Sequence, residues 1–321
     1  MSTTVRRRPV PGERAAPGRP LVAGGTVGGL VGGTVGVLAA TGLAGPGVPP
    51  PLLLSAVRPA TDGAGVVAVG FAVLLMLARR EAGPARLARV ALAAVGPFWA
   101  GSALVGLWLH AADAALVAPT RVGVATVLSY VGTLAHGRGL VLTAVCGYAL
   151  SAVLVPRVWD GVVRRPELVL GVALLGVLPG PVGGHAAGEA GHAAAVVLIA
   201  VHVGAAAVWV GGLLAVLMAG HRYLLARFSP VAAWCLLAVT IGGAGSAALR
   251  LASAEALVST GYGRLILVKT LGLLALAATG WWVRGRLRTA TVPRLVGVLV
   301  AELGLMSALV GVAAVLALSA P

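Results

Sequence analysis

The chain has 321 residues, of which 59% are hydrophobic and only 10% are charged. Soluble globular domains carry about 25% charged residues, so a soluble protein is excluded and an all-α, polytopic transmembrane bundle in a lipid bilayer is expected. The net charge of +15 does not indicate a nucleic-acid partner, because the arginines are distributed as in a protein oriented across a membrane.

The N-terminal region joins a basic tail to a glycine-rich apolar stretch. Residues 1–20 are basic and rich in proline, which predicts a disordered cytoplasmic tail. The apolar stretch after it is too long for a signal peptide and lacks a clear cleavage site, so a retained first span is expected. Two further regions follow, N-terminal transmembrane helices at 21–180 and a second helical region at 181–321.

Apolar runs long enough to cross a bilayer, about 20 residues each, repeat along the chain. Eight to nine spans are predicted, with nine as the preferred number. One more apolar segment, at 121–135, is short and is expected to be interfacial or re-entrant. The nine expected spans are 21–44, 63–78, 90–110, 138–155, 167–180, 193–219, 230–251, 263–283 and 295–318.

The placement of basic residues predicts the orientation. With the N-terminus in the cytoplasm, three of every four of the 24 Lys and Arg residues fall in segments predicted to be inside, as the positive-inside rule requires. A multi-pass protein of a plasma membrane is therefore expected. This topology puts His110, His136, His185 and His192 at the outer surface.

The stretch at 183–213, GGHAAGEAGHAAAVVLIAVHVGAAAVWVGGL, holds three of the six histidines. An ionisable side chain within a span is a functional candidate, and imidazole suits copper, zinc, iron and nickel. His185, His192 and His202 are therefore candidate metal ligands. His192 and His202 are about 15 Å apart along a helix, so a ladder of ligands is expected, with Glu189 beside the outer ones. The alternative is that the loop histidines are solvated and His202 makes an interhelical hydrogen bond.

Three residues that follow His202 bear on packing. Trp209 lies seven residues later, on the same helix face, and is expected to pack in the bundle or to shield the histidine from lipid. Gly211 and Gly212 are expected to let a neighbouring helix approach closely.

Two charged residues fall inside later spans. Lys269, the only lysine, and Glu302 are costly in lipid and should face the bundle. For Lys269 the alternative is snorkelling to the outer interface. For Glu302 the alternatives are protonation, pairing with an arginine or a role in proton relay.

Several activities have no sequence signature in this chain. Cys146 and Cys235 both fall in apolar spans, so neither a disulfide framework nor a cysteine zinc site is expected. The chain has no nucleotide-binding loop, nucleophile elbow or zinc-protease motif. An enzyme and an ATP-driven pump are therefore not expected.

The second half of the chain resembles a known family. The runs GHA…H…HVGAAAVWVGGL, RFSPVAAW…GGAGSAALRL, TGYGRLILVKTLGLLALAATGWWVRGRL and VPRLVGVLVAELGL are similar to the copper resistance D (CopD/PcoD) family of bacterial inner-membrane proteins, over about 180–320. The resemblance implies copper homeostasis, copper transfer across the inner membrane and a periplasmic CopC-like carrier as partner. The positions that match the family are His185, His202, Trp209, Gly211, Gly212, Tyr262, Arg264, Lys269 and Glu302.

Two other functions stay open on the sequence alone. A haem- or quinone-linked redox protein would use histidines near helix ends as axial ligands, and His110, His136 and His202 would be the candidates. A metal-binding assembly or sensing protein would not transport at all. The copper-handling permease is the preferred hypothesis.

Overall fold

The computed structural model describes residues 52–158, 161–182, 192–248, 255–286, 297–306 and 308–309, which are helical with no strand among them. The predicted tail at 1–20, the first span at 21–44 and the loop with His185 and Glu189 lie outside the described residues. The helices are α1 (Leu52–Leu77), α2 (Ala82–Ala114), α3 (Val124–Thr133), α4 (Ala135–Leu154), α5 (Pro166–Val177), α6 (Pro179–Val182), α7 (His192–Ala219), α8 (Arg222–Ala248), α9 (Ala256–Ser259), α10 (Gly261–Arg286) and α11 (Gly297–Met306).

Six helices of the described residues are long and apolar enough to cross a membrane. Their candidate spans are Val57–Leu77, Ala82–Ala114, Ala135–Arg157, Val196–Ala219, Arg222–Gly245 and Gly263–Arg286. The chain is thus a multi-pass helical membrane protein, as expected. The total of nine spans stays a prediction, because the described residues do not include the first expected span or most of the last.

Several expected spans differ from the helices found, among them 90–110, which is part of the longer α2 (Ala82–Ala114). The span expected at 167–180 is the 12-residue helix α5, about 18 Å long and therefore shorter than the hydrocarbon core of about 30 Å. The span expected to begin at residue 230 begins at Arg222 instead, with Pro230 inside α8. Neighbouring helices and local adjustments let a membrane helix continue through a proline. The segment at 121–135 forms only the ten-residue α3 after a 3-10 turn, as an interfacial segment would.

Ion pairs and hydrogen bonds join the helices at one end of the bundle, here called the arginine end and defined by Arg79, Arg227 and Arg284. Arg79 lies 2.6 Å from Glu167, and Arg227 lies 2.9 Å from Glu81. Arg284 donates to the Ser229 hydroxyl at 2.8 Å. The opposite end, which contains His110 and His136, is called the histidine end.

A glycine contact fixes the crossing of α1 and α7. A β-carbon at Gly70 would overlap the carbonyl oxygen of Gly211, and one at Gly211 would overlap the carbonyl oxygen of Val66. The two helices therefore touch through their backbones. Small residues permit this approach in membrane bundles.

Candidate functional site

A tight helical hairpin brings the two sides of the site together. Helix α7 ends at Ala219, and Gly220 has a φ of 71°, a left-handed conformation that glycine adopts without steric cost. Its N–H donates to the carbonyls of Val216 and Leu217, which caps α7 and turns the chain into α8. His202 lies 17 residues before the end of α7 and Val239 lies 17 residues after the start of α8. The antiparallel hairpin therefore sets these two residues opposite each other.

The imidazole of His202 is anchored on α8. Its Nδ1 lies 2.8 Å from the carbonyl oxygen of Val239. A carbonyl only accepts, so Nδ1 carries the proton and donates it. This bond fixes the neutral tautomer and leaves the lone pair on Nε2.

Two glycines on α8 make this anchoring possible. A β-carbon at Gly242 would lie 3.0 Å from both Cβ of His202 and the carbonyl oxygen of Leu198. One at Gly243 would lie 3.4 Å from Cε1 of His202. The first contact is tight and the second is ordinary, so Gly242 sets the distance between the helices at this level.

The second nitrogen of His202 faces Lys269 on α10. The Nζ atom of Lys269 lies 3.1 Å from Nε2 of His202, and the ammonium donates to the lone pair that the tautomer leaves there. Lys269 therefore faces the bundle interior and does not snorkel away from it. Glu302 is not its partner, since no salt bridge found among the described residues includes either residue.

The three groups lie at one depth. His202 is six residues from Val196, Lys269 is six from Gly263, and Val239 is six from Gly245, and these three residues bound the candidate spans at the same end of the bundle. Six helical residues rise about 9 Å. The site is therefore within the apolar part of the bundle, on the side of the histidine end.

This arrangement defines what His202 can do chemically. A metal ion binds imidazole at an unprotonated nitrogen, and here that nitrogen is Nε2. The same lone pair accepts the hydrogen bond of Lys269, so a metal ion must displace the ammonium before it can bind. Val239 keeps the imidazole oriented meanwhile, as carbonyls commonly do for metal-ligating histidines.

The packing residues predicted after His202 lie in the core of the bundle. Trp209 is buried, with 5% of its surface exposed, within the main apolar cluster. Gly211 lies at the crossing with α1, and a β-carbon at Gly212 would come within 2.5 Å of the Phe228 ring. Burial and close contacts therefore assign these three residues to helix packing.

The other predicted pathway residues are spread over the bundle. Glu302 is buried, 6% exposed, on α11. Arg264 is exposed on α10, where its Nε lies 3.4 Å from the carbonyl oxygen of Thr260. Tyr262 lies in the first turn of α10 and His192 begins α7, but the structure describes neither side chain.

No cluster of three or more His, Cys, Asp or Glu side chains suited to a metal ion occurs among the described residues. His185 and Glu189 lie outside those residues. The predicted ladder of metal ligands, His202 included, therefore stays a prediction.

The histidines proposed for haem binding lie in a different arrangement. The rings of His110 and His136 meet edge to face, with centroids 4.6 Å apart. Axial haem ligands lie on opposite sides of the porphyrin plane, and this contact leaves no room for that plane. The pair as arranged therefore does not fit bis-histidine haem ligation.

Sequence analysis missed Val239, Gly242 and Gly243. A backbone carbonyl has no residue signature, so the partner of Nδ1 could not be named. The glycines did carry a signal, because two adjacent small residues in an apolar span indicate a close helix contact.

Comparison with known proteins identifies the later part of the chain. The family model of copper resistance protein D matches residues 222–316, a shorter segment than the predicted 180–320. Comparisons with curated proteins and with solved structures give no match. The matched segment contains Val239 and Lys269, whereas His202 precedes it. Residues 222–316, less than half of the chain, are thus similar to copper resistance protein D.

Proposed function

We propose that this protein is a copper permease of a bacterial plasma membrane that takes copper from the outer side through His202. It would act by transport and not as an enzyme. The observation that carries the proposal is the contact of Nε2 of His202 with Lys269, 3.1 Å away inside the bundle. In this proposal Nε2 binds the metal ion, and the ammonium of Lys269, on a long and flexible side chain, competes with the ion for the same lone pair.

The competition between Lys269 and copper supplies both binding and release. An arriving copper ion binds Nε2 as the ammonium swings aside, because the cation and the ammonium repel each other at short range. The bond from Nδ1 to Val239 keeps the imidazole in place during this exchange. When Lys269 returns to Nε2, it displaces the copper ion, and the ion is released from the site.

Delivery from outside is the expected first step. The family resemblance and the predicted outward placement of His185 and His192 support a periplasmic or extracellular CopC-like carrier that passes copper to the histidine end. Glu302, buried on α11, is proposed to relay protons during transport.

The test is copper transport by purified protein in liposomes, loaded from outside with Cu(I) held by a weak chelator. His202→Ala should abolish uptake, whereas His221→Ala should not, because His221 is exposed at the turn before α8. Uptake by His202→Ala equal to the wild type would overturn the proposal. Copper binding without uptake in the wild type would favour the assembly or sensing function, and a haem spectrum in protein made with haem supplied would favour the redox function.

A further inference from the structure

A second pair of imidazoles lies at the histidine end, away from His202. His110 is four residues from the end of α2, and His136 is the second residue of α4. Helices α2 and α4 pack against each other, so the two rings meet with centroids 4.6 Å apart and an interplanar angle of 82°.

One nitrogen of this pair lacks a hydrogen-bond partner. Nε2 of His136 is buried and has no partner among the described residues. Buried polar atoms in native proteins are almost always satisfied, and an exception calls for an explanation such as an ion or a functional role. Because a second imidazole lies in contact, the simplest ligand is one that takes a nitrogen from each ring.

Two residues of opposite charge act on the pair. Arg58 is close enough to act on both histidines, and Asp113 acts on His110. Asp62 lies 4.0 Å from Arg58. Burial and then the charge of Asp113 raise the pKa of the nearby Tyr130 phenol, so the phenol stays neutral. The Asp113 carboxylate thus opposes the Arg58 guanidinium at His110.

The ligand set narrows the choice of metal. The pair belongs to no cluster of three or more acidic, histidine or cysteine side chains within the described residues, whereas zinc requires four ligands in its structural sites. Monovalent d10 ions, Cu(I) and Ag(I), accept two nitrogen donors.

We propose that His110 and His136 form a two-imidazole site for Cu(I), or for Ag(I) as its analogue, separate from His202. The preference for copper rests on the proposed function, but the site itself does not. Small rotations of the two rings would point one nitrogen of each at the same ion. Because this site lies at the histidine end, the metal would bind there before it moves to His202 inside the bundle.

The experiment is calorimetric titration of the purified full chain in nanodiscs with Ag(I), which needs no reductant. His110→Asn and His136→Asn are compared with two controls, His202→Asn and His221→Asn. His110→Gln provides a second variant if one of the asparagine proteins fails to fold, as judged by circular dichroism. Arg58→Gln tests the charge argument, because the loss of a nearby positive charge should raise the Ag(I) affinity of this site and of no other.

The expected result is that His110→Asn and His136→Asn lose the same equivalent of Ag(I), or bind it at least about tenfold more weakly. His221→Asn should still bind that equivalent of Ag(I). His202→Asn should also bind it, but should lose a different equivalent, the one bound at His202. Unchanged binding by both pair variants would overturn the inference. Loss of Ag(I) binding only in His202→Asn would overturn the inference and leave the proposed function intact. Loss of Ag(I) binding only in His110→Asn and His136→Asn would support the inference and argue against metal binding by His202.

Discussion

The ammonium of Lys269 lies 3.1 Å from Nε2 of His202, and this contact joins the family segment to a helix that precedes it. Lys269 is the only lysine of the chain, and it lies within the residues matched by the family model, 222–316. The hydrogen bond therefore places a histidine from outside the matched segment in direct contact with a residue inside it. In the proposed function, the affinity of His202 for copper and the release of copper would both depend on the Lys269 side chain.

Replacement of the ammonium should strengthen metal binding. In Lys269→Leu, Nε2 is free and the repulsive charge is gone, so Ag(I) or Cu(I) affinity at His202 should rise about tenfold or more, equivalent to about 1.4 kcal/mol. Transport in liposomes should fall, because nothing displaces the ion. Lys269→Arg keeps the charge and serves as the control. An affinity that is unchanged or lower in Lys269→Leu would show that the lysine does not compete with the metal.

Two adjacent glycines should respond differently to the same substitution. In Gly242→Ala the new β-carbon meets the Leu198 carbonyl at 3.0 Å and pushes α8 from α7, with an overpacking cost of about 1–3 kcal/mol and a weaker bond to Val239. In Gly243→Ala the contact is ordinary, so helix propensity should leave stability equal or slightly higher. Thermal unfolding in detergent and Ag(I) titration measure both effects. Equal behaviour of the two variants would contradict the described packing.

The crossing of α1 and α7 should be intolerant of any side chain. Gly211→Ala places a β-carbon on the carbonyl of Val66, so we expect a loss of about 1–3 kcal/mol in stability. Gly280→Ala is the matched control, because nothing lies within 4 Å of its β-carbon position. Unfolding curves of the two proteins, recorded at the same detergent concentration, provide the comparison. A Gly211→Ala protein as stable as Gly280→Ala would mean that these helices do not cross as described.

Two exposed glycines allow a direct test of orientation. Gly123 and Gly83 are exposed and have open space around them, and they lie at the histidine end and the arginine end. The two native cysteines are buried and can be replaced by alanine. A membrane-impermeant maleimide should label Gly123→Cys in intact cells and Gly83→Cys only after lysis. The reverse pattern would invert the predicted topology, and with it the direction from which copper reaches His202.

The sequence predicted the helices well and the contacts between them poorly. Long apolar runs identify spans because each must cover the bilayer core alone, and His202 stands out because an imidazole in such a run is costly. The start of α8 was placed at residue 230, whereas the helix begins at Arg222 and continues through Pro230. The bond between His202 and Lys269 depends on which helices are neighbours, and no local pattern contains that information.

The backbone contact between Gly70 and Gly211 also determines which parts of the bundle are able to move. Helices α1 and α7 touch too closely to slide or rotate against each other without separating, so they act as a fixed spine that carries His202. Helix α10 is less enclosed, because only 11% of its candidate span is buried, against 61% for that of α1. If the protein alternates between outward and inward openings, we expect α10 to move relative to α1 and α7. This movement would take Lys269 away from the imidazole of His202, which stays in place.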